Sequence, residues 1–279
     1  RERLELAYLG TPKDEPIDRA FASLVESCRM PRALPDALLE GLEWDSLNLR
    51  FETLSDLHSY SARVASAVGV MMCVIMNVRD KDVLARACDL GAAMQLTNIA
   101  RDIGEDARNG RLYIPLEWMS EEGLNSIEFL RKPEPNEKIA RIVKRLLLEA
   151  EHLYSRAEAG LSELPLSCRP GIFAARHIYE RIGKHIAAAN YDSITNRAFT
   201  TKIEKMGFLM LSMANTATVS LMPRSAIVHA EPLKEMKFLV DVAHEIQTNK
   251  NYLDRKAGTV MNILEQMERR DRGFQEVLE

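Results

Sequence analysis

Residues 95–115 read QLTNIARDIGEDARNGRLYIP, and this stretch decides what kind of fold the chain needs. At about 100° per residue, helical geometry places four polar side chains within about 80° of one another on one side of a helix. We call these side chains the polar stripe: Gln95, Asn98, Asp102 and Asp106. Ile99 and Ile103 lie directly beside it. The pattern therefore predicts a helix that carries acids along the border of an apolar surface.

The two aspartates of the polar stripe indicate a bound cation. Carboxylates four residues apart on a helix are about 6 Å from each other and repel unless positive charge lies nearby. Because the stripe contains no His or Cys, it favours Mg²⁺, with Mn²⁺ as a substitute, over zinc. The predicted metal ligands are Asp102, Asp106 and Asn98. Arg101 and Arg111 are placed to contact phosphate oxygens.

From spacing alone, a second interpretation of the two aspartates stays open. They could be surface acids near the end of a helix, although acids at that end oppose the helix dipole. A metal-bound diphosphate beside an apolar cavity is the arrangement that an isoprenoid diphosphate would need, with a hydrated head and an apolar tail.

The composition is that of a globular protein with no electrostatic affinity for nucleic acid. Of 279 residues, 46% are hydrophobic and 28% are charged, and the net charge of −4 gives no case for a nucleic-acid partner. Four cysteines without a CxxC pair predict reduced thiols in a cytoplasmic protein: Cys28, Cys73, Cys88 and Cys168.

Helical periodicity dominates the chain and strand signals are nearly absent. The predicted helices are 18–29, 33–42, 54–78, 81–108, 136–162, 170–194, 201–222, 231–247 and 251–272. An all-α fold with long helices places a ligand site in the space between them. The tail from about residue 248 reads either as a solvated surface helix or as one that docks on a membrane surface or a partner.

The predicted helix 54–78 contains the longest apolar stretch, residues 64–78, which is about five residues short of a bilayer span and therefore reads as a buried helix. Five of its side chains share one predicted face: Tyr60, Val64, Val68, Met71 and Ile75. This face could be ordinary core or the wall of a cavity, and the periodicity does not choose between them.

Two longer segments resemble the signatures of the squalene/phytoene synthase family, and the resemblance is closest to its bacterial phytoene synthases. LGAAMQLTNIARDIGEDARNGRLYIP (90–115) is similar to the second aspartate-rich signature, and YSARVASAVGVMMCVI (60–75) is similar to the other. The resemblance covers about residues 1–235. It implies the isoprenoid synthase helical bundle with a central apolar cavity, followed by a C-terminal helical extension over residues 236–279.

The family implies a role for each matching residue. The implied catalytic residues are Tyr60, Asp102, Asp106 and Arg101. The implied substrate-binding residues are Gln95, Asn98, Arg111, Tyr113, Tyr191, Arg197, Lys202, Val64, Val68 and Met71. Of these, Tyr113 and Arg111 are expected to lie on a flap over the metal site.

The family also implies a first aspartate-rich cluster, which we do not find in the sequence. The candidate Asp14–Asp18 is rejected because Pro16 interrupts a helix through its middle. Asp18 is instead predicted to be the N-cap of the helix that contains Phe21. The first cluster is therefore expected upstream of Arg1, and the chain as given is expected to be inactive or badly impaired.

The implied activity is a Mg²⁺-dependent prenyltransferase reaction. Two geranylgeranyl diphosphates would condense head to head, through a cyclopropylcarbinyl diphosphate, to 15-cis-phytoene in carotenoid biosynthesis, with no need for NADPH. The alternatives are a synthase making squalene or dehydrosqualene from two farnesyl diphosphates, and a non-catalytic relative that acts as an assembly factor. Prenyl diphosphates are the expected partners, with peripheral contact at the inner membrane surface for product release. The sequence does not indicate an oligomeric state.

Overall fold

The protein is all-α, as predicted, in the part described by the computed structural model, residues 1–219 and 225–245. The helices are α1 (Glu2–Tyr8), α2 (Pro16–Cys28), α3 (Ala33–Ser46), α4 (Leu54–Ser61), α5 (Ala67–Ile75), α6 (Lys81–Arg108), α7 (Leu116–Glu121), α8 (Ser126–Arg131), α9 (Glu137–Glu158), α10 (Arg169–Ala188) and α11 (Lys202–Val219). A π turn, Ala62–Ser66, joins α4 to α5. Two 3₁₀ turns lie at Leu161–Glu163 and Ala226–His229, and residues 237–245 are helical. None of the helices within these described ranges is both long and apolar enough to cross a bilayer.

Helix α6 is the central element, and its predicted range of 81–108 is confirmed. Its 28 residues make it about 42 Å long. It begins at Asp80, whose carboxylate accepts hydrogen bonds from the backbone N–H groups of Asp82 and Val83 at 3.0 and 3.2 Å. α9, α10, α5 and the π turn all pack against it. The polar stripe therefore lies on the helix around which the other elements are arranged.

Close contact between α6 and the π turn depends on a glycine. A Cβ atom on Gly91 would lie 2.8 Å from backbone atoms of Ala65 and Ser66. The Ser66 hydroxyl donates a hydrogen bond of 2.8 Å to the Cys88 carbonyl at the same crossing. Since no side chain separates the two backbones, α5 and α6 enclose the space beyond the crossing at a fixed separation.

The π turn changes which side chains of the predicted helix 54–78 share one face, so the predicted face is wrong after residue 68. A π turn holds one residue more than an α turn, so side chains after it are rotated back by about one position. Met72 and Met76 therefore line an apolar cavity together with Val64 and Val68. Met71 and Ile75, predicted on that face, do not.

The start of α2 differs from the predicted N-cap. Glu15 is the N-cap, and Pro16 occupies the first turn, where its missing N–H costs nothing. Asp18 lies within the first turn of the helix and is buried, with its carboxylate 2.8 Å from the guanidinium of Arg3. The prediction of Asp18 as N-cap is therefore wrong, because Arg3 of α1 neutralises it instead.

Three short helices, α1, α7 and α8, were not predicted. Each has only 6 or 7 residues, too few for an amphipathic period to stand out. The structure also shortens the helices predicted over 136–162 and 170–194 to α9 and α10.

The chain after α11 returns to the same hydrophobic core. Met236, Leu239, Val240 and Ala243 are fully buried there. The segment 231–247, predicted as one helix, is helical over 237–245 within the described residues. The predicted helix 251–272 lies outside the described residues, and the division of the chain at residue 236 stays a prediction.

Replacing Gly91 with Ala should destabilise the fold, because the new methyl group overlaps the backbone of the π turn. We expect the free energy of unfolding to fall by about 1–3 kcal/mol, as for other overpacked positions. Urea unfolding followed by circular dichroism measures it.

Gly207→Ala is the matched control, since Gly207 lies inside α11 and a Cβ there meets nothing within 4 Å. That substitution should raise stability by roughly 0.5–1 kcal/mol through helix propensity. Equal effects of the two substitutions would contradict the close backbone crossing.

Candidate active site

An apolar cavity of about 370 Å³ lies between α5, α6 and α10. Its walls are mostly aliphatic side chains and glycine. The predicted residues Val64 and Val68 line it. Gln95 and Asn98 of the polar stripe also line it, and they lie nearest along α6 to the two aspartates. The cavity therefore borders the polar stripe, as expected for a ligand with a polar head and an apolar tail.

Asp102 is held by two arginines. Arg101 donates to its carboxylate at 2.6 and 2.8 Å, and Arg197, which comes from the loop before α11, donates at 2.7 Å. Arg197 also lies 3.2 Å from the carboxylate of Glu105. Although burial acts to raise it, these hydrogen bonds hold the pKa of Asp102 below its usual value. The carboxylate is therefore charged and balanced by positive charge.

Asp106, in contrast to Asp102, is not held by arginines. Among the described residues its carboxylate has no hydrogen bond and no ion pair. Burial, and then the negative charge of Asp102, raise the pKa of Asp106 to about 6. The positive charge of Arg111 only partly offsets these effects. A half-buried carboxylate that forms no ion pair among the described residues is a site where a positive ion would be stabilised.

The loop that carries Arg197 is fixed on α6 between the two aspartates. The Gly104 N–H donates to the Ser193 carbonyl at 3.1 Å, and a Cβ on Gly104 would lie 2.7 Å from the backbone of Ile194. Before this crossing, Asn190 and Tyr191 both have positive φ, of 54° and 60°, which reverses the chain after α10. The glycine and the turn together bring Arg197 to Asp102.

Asp45 of α3 is a site residue that the sequence analysis missed. Its carboxylate accepts a hydrogen bond from the Tyr60 hydroxyl at 2.9 Å and another from the Tyr113 hydroxyl at 2.7 Å. The Tyr60 and Tyr113 rings stack with centroids 5.2 Å apart, and Phe51 stacks on Tyr113 and packs at a tilt against Tyr60. Burial raises the pKa of Tyr60 far above its usual value and that of Tyr113 to about 12, so both hydroxyls are protonated donors.

No sequence signal marks Asp45, because its partners lie 15 and 68 residues away along the chain. The cluster also changes the expected position of Tyr60, whose hydroxyl faces Asp45. Its ring is buried in the core and is not part of the cavity wall.

Three further residues were predicted to bind substrate, and none of them lines the cavity: Arg111, Tyr191 and Lys202. Arg111 is exposed and borders a small depression with Asp45 and Tyr113. Tyr191 lies in depressions on the side of α6 that carries Thr97, away from the cavity, so its predicted place beside substrate is not supported. Lys202 is the exposed first residue of α11, and no ion pair joins it to the polar stripe in the described part of the chain.

The donor atoms of the polar stripe suit a hard divalent cation. Asp106 offers an unpaired carboxylate, and the Oδ1 atom of Asn98 is buried without a hydrogen-bond partner. Asp102 is shared with two arginines. Within residues 1–219 and 225–245 there is no group of three carboxylate, His or Cys ligands. The residues therefore fit a cation such as Mg²⁺ that is held by one or two carboxylates and completes its shell with water and phosphate oxygens.

Comparison with known proteins gives the same family as the motifs. A family model described as "Squalene/phytoene synthase" matches residues 1–204. The "Phytoene synthase" of Cereibacter sphaeroides is 53% identical over 272 residues, which is 98% of this chain and 76% of that protein. The "Phytoene synthase" of Rhodobacter capsulatus is 50% identical over 273 residues, covering 98% of this chain and 79% of that protein.

One solved structure has a similar fold. The crystal structure of a dehydrosqualene synthase in complex with ligand superimposes with a TM-score of 0.70 and 26% sequence identity. The match covers 78% of this chain and 76% of that chain.

Asp45→Asn should weaken the cluster of two tyrosines, because a neutral amide replaces the charged acceptor that both hydroxyls share. We expect the free energy of unfolding to fall by about 1–3 kcal/mol. A double-mutant cycle with Tyr113→Phe should give a coupling energy of about 1 kcal/mol. Chemical denaturation measures both quantities.

Asp36→Asn is the control, since Asp36 lies on the same helix and pairs with Arg32 at the surface. It should change stability by less than about 0.5 kcal/mol. A coupling energy of zero between Asp45 and Tyr113 would show that the shared carboxylate does not hold the cluster.

The raised pKa of Asp106 predicts that affinity for divalent cations depends on pH. Lowering the pH through about 6 protonates this carboxylate, and only the ionised form binds metal. At pH 5 about one tenth of it is ionised, so the apparent dissociation constant for Mg²⁺ should be about tenfold higher than at pH 7.5. Isothermal titration calorimetry at the two pH values measures this difference.

The raised pKa of Asp106 also makes the free energy of unfolding depend on pH. Folding favours the protonated carboxyl, so the stabilising contribution is complete below its ordinary pKa near 3.8 and is lost as the pH rises through about 6. Asp106→Asn should remove this loss and the pH dependence of metal binding together. An unchanged pH profile in that variant would assign the dependence to another group.

Proposed function

Because this chain belongs to the squalene/phytoene synthase family, we propose that it joins two geranylgeranyl diphosphates head to head to form 15-cis-phytoene. The reaction passes through a cyclopropylcarbinyl diphosphate and serves carotenoid biosynthesis. The observation that carries the proposal is an apolar cavity lined by Gln95 and Asn98 of the polar stripe, which also carries the unpaired carboxylate of Asp106 further along α6.

The polar stripe would hold the diphosphate. Asp106, Asp102 and the buried Oδ1 atom of Asn98 supply oxygen ligands for Mg²⁺, or for Mn²⁺ in its place. Once bound, such a cation neutralises negative charge that develops on the departing diphosphate. Arg101 and Arg197 already form hydrogen bonds to a carboxylate, and the same guanidinium groups suit phosphate oxygens.

The cavity would protect the carbocation that forms when diphosphate leaves. Its walls around Val64 and Val68 are apolar, so a prenyl chain bound against them would displace the water that would quench the cation. Tyr60 and Tyr113 stay protonated under their shared hydrogen bonds to Asp45. This cluster anchors the segment after α6 to α3, so it fixes the border of the site without taking a proton.

The names of the relatives favour geranylgeranyl diphosphate over the shorter farnesyl diphosphate as the substrate. Proteins at 50% and 53% identity carry the name phytoene synthase, whereas the dehydrosqualene synthase structure is 26% identical. A synthase that makes squalene or dehydrosqualene from farnesyl diphosphate is the second candidate within the family. Squalene formation would also need a hydride from NADPH, which the proposed reaction does not use.

A non-catalytic relative acting as an assembly factor is the candidate from another class. Retention of both aspartates, Asn98 and Arg101 argues against it, because an assembly role does not need a half-buried carboxylate without a counterion. Peripheral membrane contact during release of the water-insoluble product remains part of the proposal, as does the inner membrane surface as its place.

The complete gene product should convert labelled geranylgeranyl diphosphate to phytoene when Mg²⁺ is present, with or without NADPH. Asp102→Ala should lower turnover by at least about a hundredfold, since it removes both an oxygen ligand and the partner of two arginines. Chromatography and mass spectrometry of the products, from parallel incubations with geranylgeranyl and farnesyl diphosphates, provide the measurement.

Asp82→Ala is the matched control on the same helix, about 30 Å from Asp102. Its turnover should stay within a few-fold of the wild type, and circular dichroism should show intact helices in both variants. Squalene or dehydrosqualene as the main product would replace the proposed substrate. Full activity of Asp102→Ala would refute the role of the polar stripe.

A further inference from the structure

Helix α11 turns polar side chains towards the protein and apolar side chains towards solvent. It packs mainly on α10. The Glu204 carboxylate accepts a hydrogen bond from Arg181 Nε at 2.9 Å and lies 3.0 Å from His185 Nε2. Two turns or more further on, the side-chain amide of Asn215 lies 2.9 Å from the Nε2 atom of His177. A surface helix of a globular protein normally buries its apolar side, so this orientation requires a second, apolar surface for α11.

The outward side of α11 carries a row of large apolar side chains. Ile203 is 86% exposed, and Met210 is 63% exposed. Intervals of three and four residues place the members of the row on one side of the helix. We call them the docking face: Ile203, Met206, Met210 and Met213. Contiguous apolar side chains in water mark a place where a protein meets a membrane or another macromolecule.

The charges beside the docking face are positive. Lys202 and Lys205 are both exposed in the first turn of α11. Within residues 202–217 the one acid is Glu204, and it is turned towards α10. A helix with an apolar stripe and flanking lysines suits the surface of an anionic bilayer. Its apolar side chains enter the boundary between head groups and acyl chains, while its lysines meet the phosphates.

A second copy of the chain would satisfy the docking face less completely. In a two-fold dimer the same surface meets itself. Such a contact would cover the apolar side chains but would bring no acid of α11 to the lysines. An anionic phospholipid surface supplies both an apolar layer and negative charge. Methionine is flexible and polarisable, so a row rich in it adapts to a partner without a fixed shape.

The docking face lies close along the chain to the candidate active site. Arg197, which donates to Asp102 at 2.7 Å, comes five residues before the start of α11. Five residues span at most about 17 Å. Between them, Phe199 is exposed and adds a further apolar side chain. A surface that binds α11 would therefore lie beside the loop that reaches the polar stripe.

We propose that the docking face binds an anionic phospholipid bilayer, with α11 lying parallel to the membrane surface. This gives the peripheral membrane contact a defined element. The part of that contact in product release rests on the proposed function, whereas binding to the bilayer does not depend on the reaction. In this orientation a water-insoluble molecule would pass between the site and the bilayer over a short distance.

Vesicle binding by the complete gene product, without substrate or Mg²⁺, tests the docking face. The wild type should co-sediment with mixed vesicles of phosphatidylcholine and phosphatidylglycerol. It should bind vesicles of phosphatidylcholine alone at least about fivefold more weakly, since the lysines then meet no net negative charge. Met206→Gln combined with Met210→Gln should lower the partition coefficient for mixed vesicles at least about tenfold, because two apolar side chains no longer leave water.

Ile127→Gln combined with Leu148→Gln is the matched control. It also removes two exposed apolar side chains, from α8 and α9 instead of α11. Its partition coefficient should equal that of the wild type. Circular dichroism and urea unfolding should show that both double variants fold, since exposed positions tolerate such changes.

Met210→Trp provides a readout that does not rely on weakened binding. Its indole emission should shift to shorter wavelength when mixed vesicles are added, and lipids with brominated acyl chains should quench it. Ile127→Trp, at an exposed position of α8, should show neither change beyond the wild-type background. If the methionine double variant does not fold, this pair decides the proposal.

Equal vesicle binding by the wild type and the folded methionine double variant would overturn the proposal, as would a wild type that does not bind vesicles. Analytical ultracentrifugation separates the other occupant. A dimer that the double variant loses, without any binding to vesicles, would assign the docking face to a second copy and overturn the proposal. A wild type that binds vesicles but makes no phytoene would refute the proposed function alone.

Discussion

The site depends on how charge is balanced along one side of α6. Two carboxylates one helical turn apart repel each other, and partial burial strengthens the repulsion. The protein resolves it unequally, because two arginines neutralise Asp102 while Asp106 is left with a pKa raised to about 6. The arrangement needs Arg197, which comes from a distant part of the chain. In the proposed reaction, a bound divalent cation would supply the positive charge that Asp106 lacks.

Two glycines on α6 convert this charge arrangement into a fixed geometry. Gly91 lets the π turn cross α6 at backbone distance, and Gly104 lets the loop before α11 cross it thirteen residues later. The first crossing sets the separation of the cavity walls. The second brings Arg197 to Asp102. Since both crossings are backbone-to-backbone, larger side chains at either position would separate the elements that form the cavity and the polar stripe.

Much of this architecture could be predicted from local sequence, and the failures have physical causes. The limits of α6 follow from Asp80 as N-cap and from uninterrupted periodicity. The register of the cavity wall did not follow, because a π turn leaves no compositional mark and moves the lining position from Met71 to Met72. Asp45 could not be identified, since its role arises only when α3, Tyr60 and the segment after α6 meet in space. Local patterns predicted the elements, whereas contacts between distant segments decided which residues face each other.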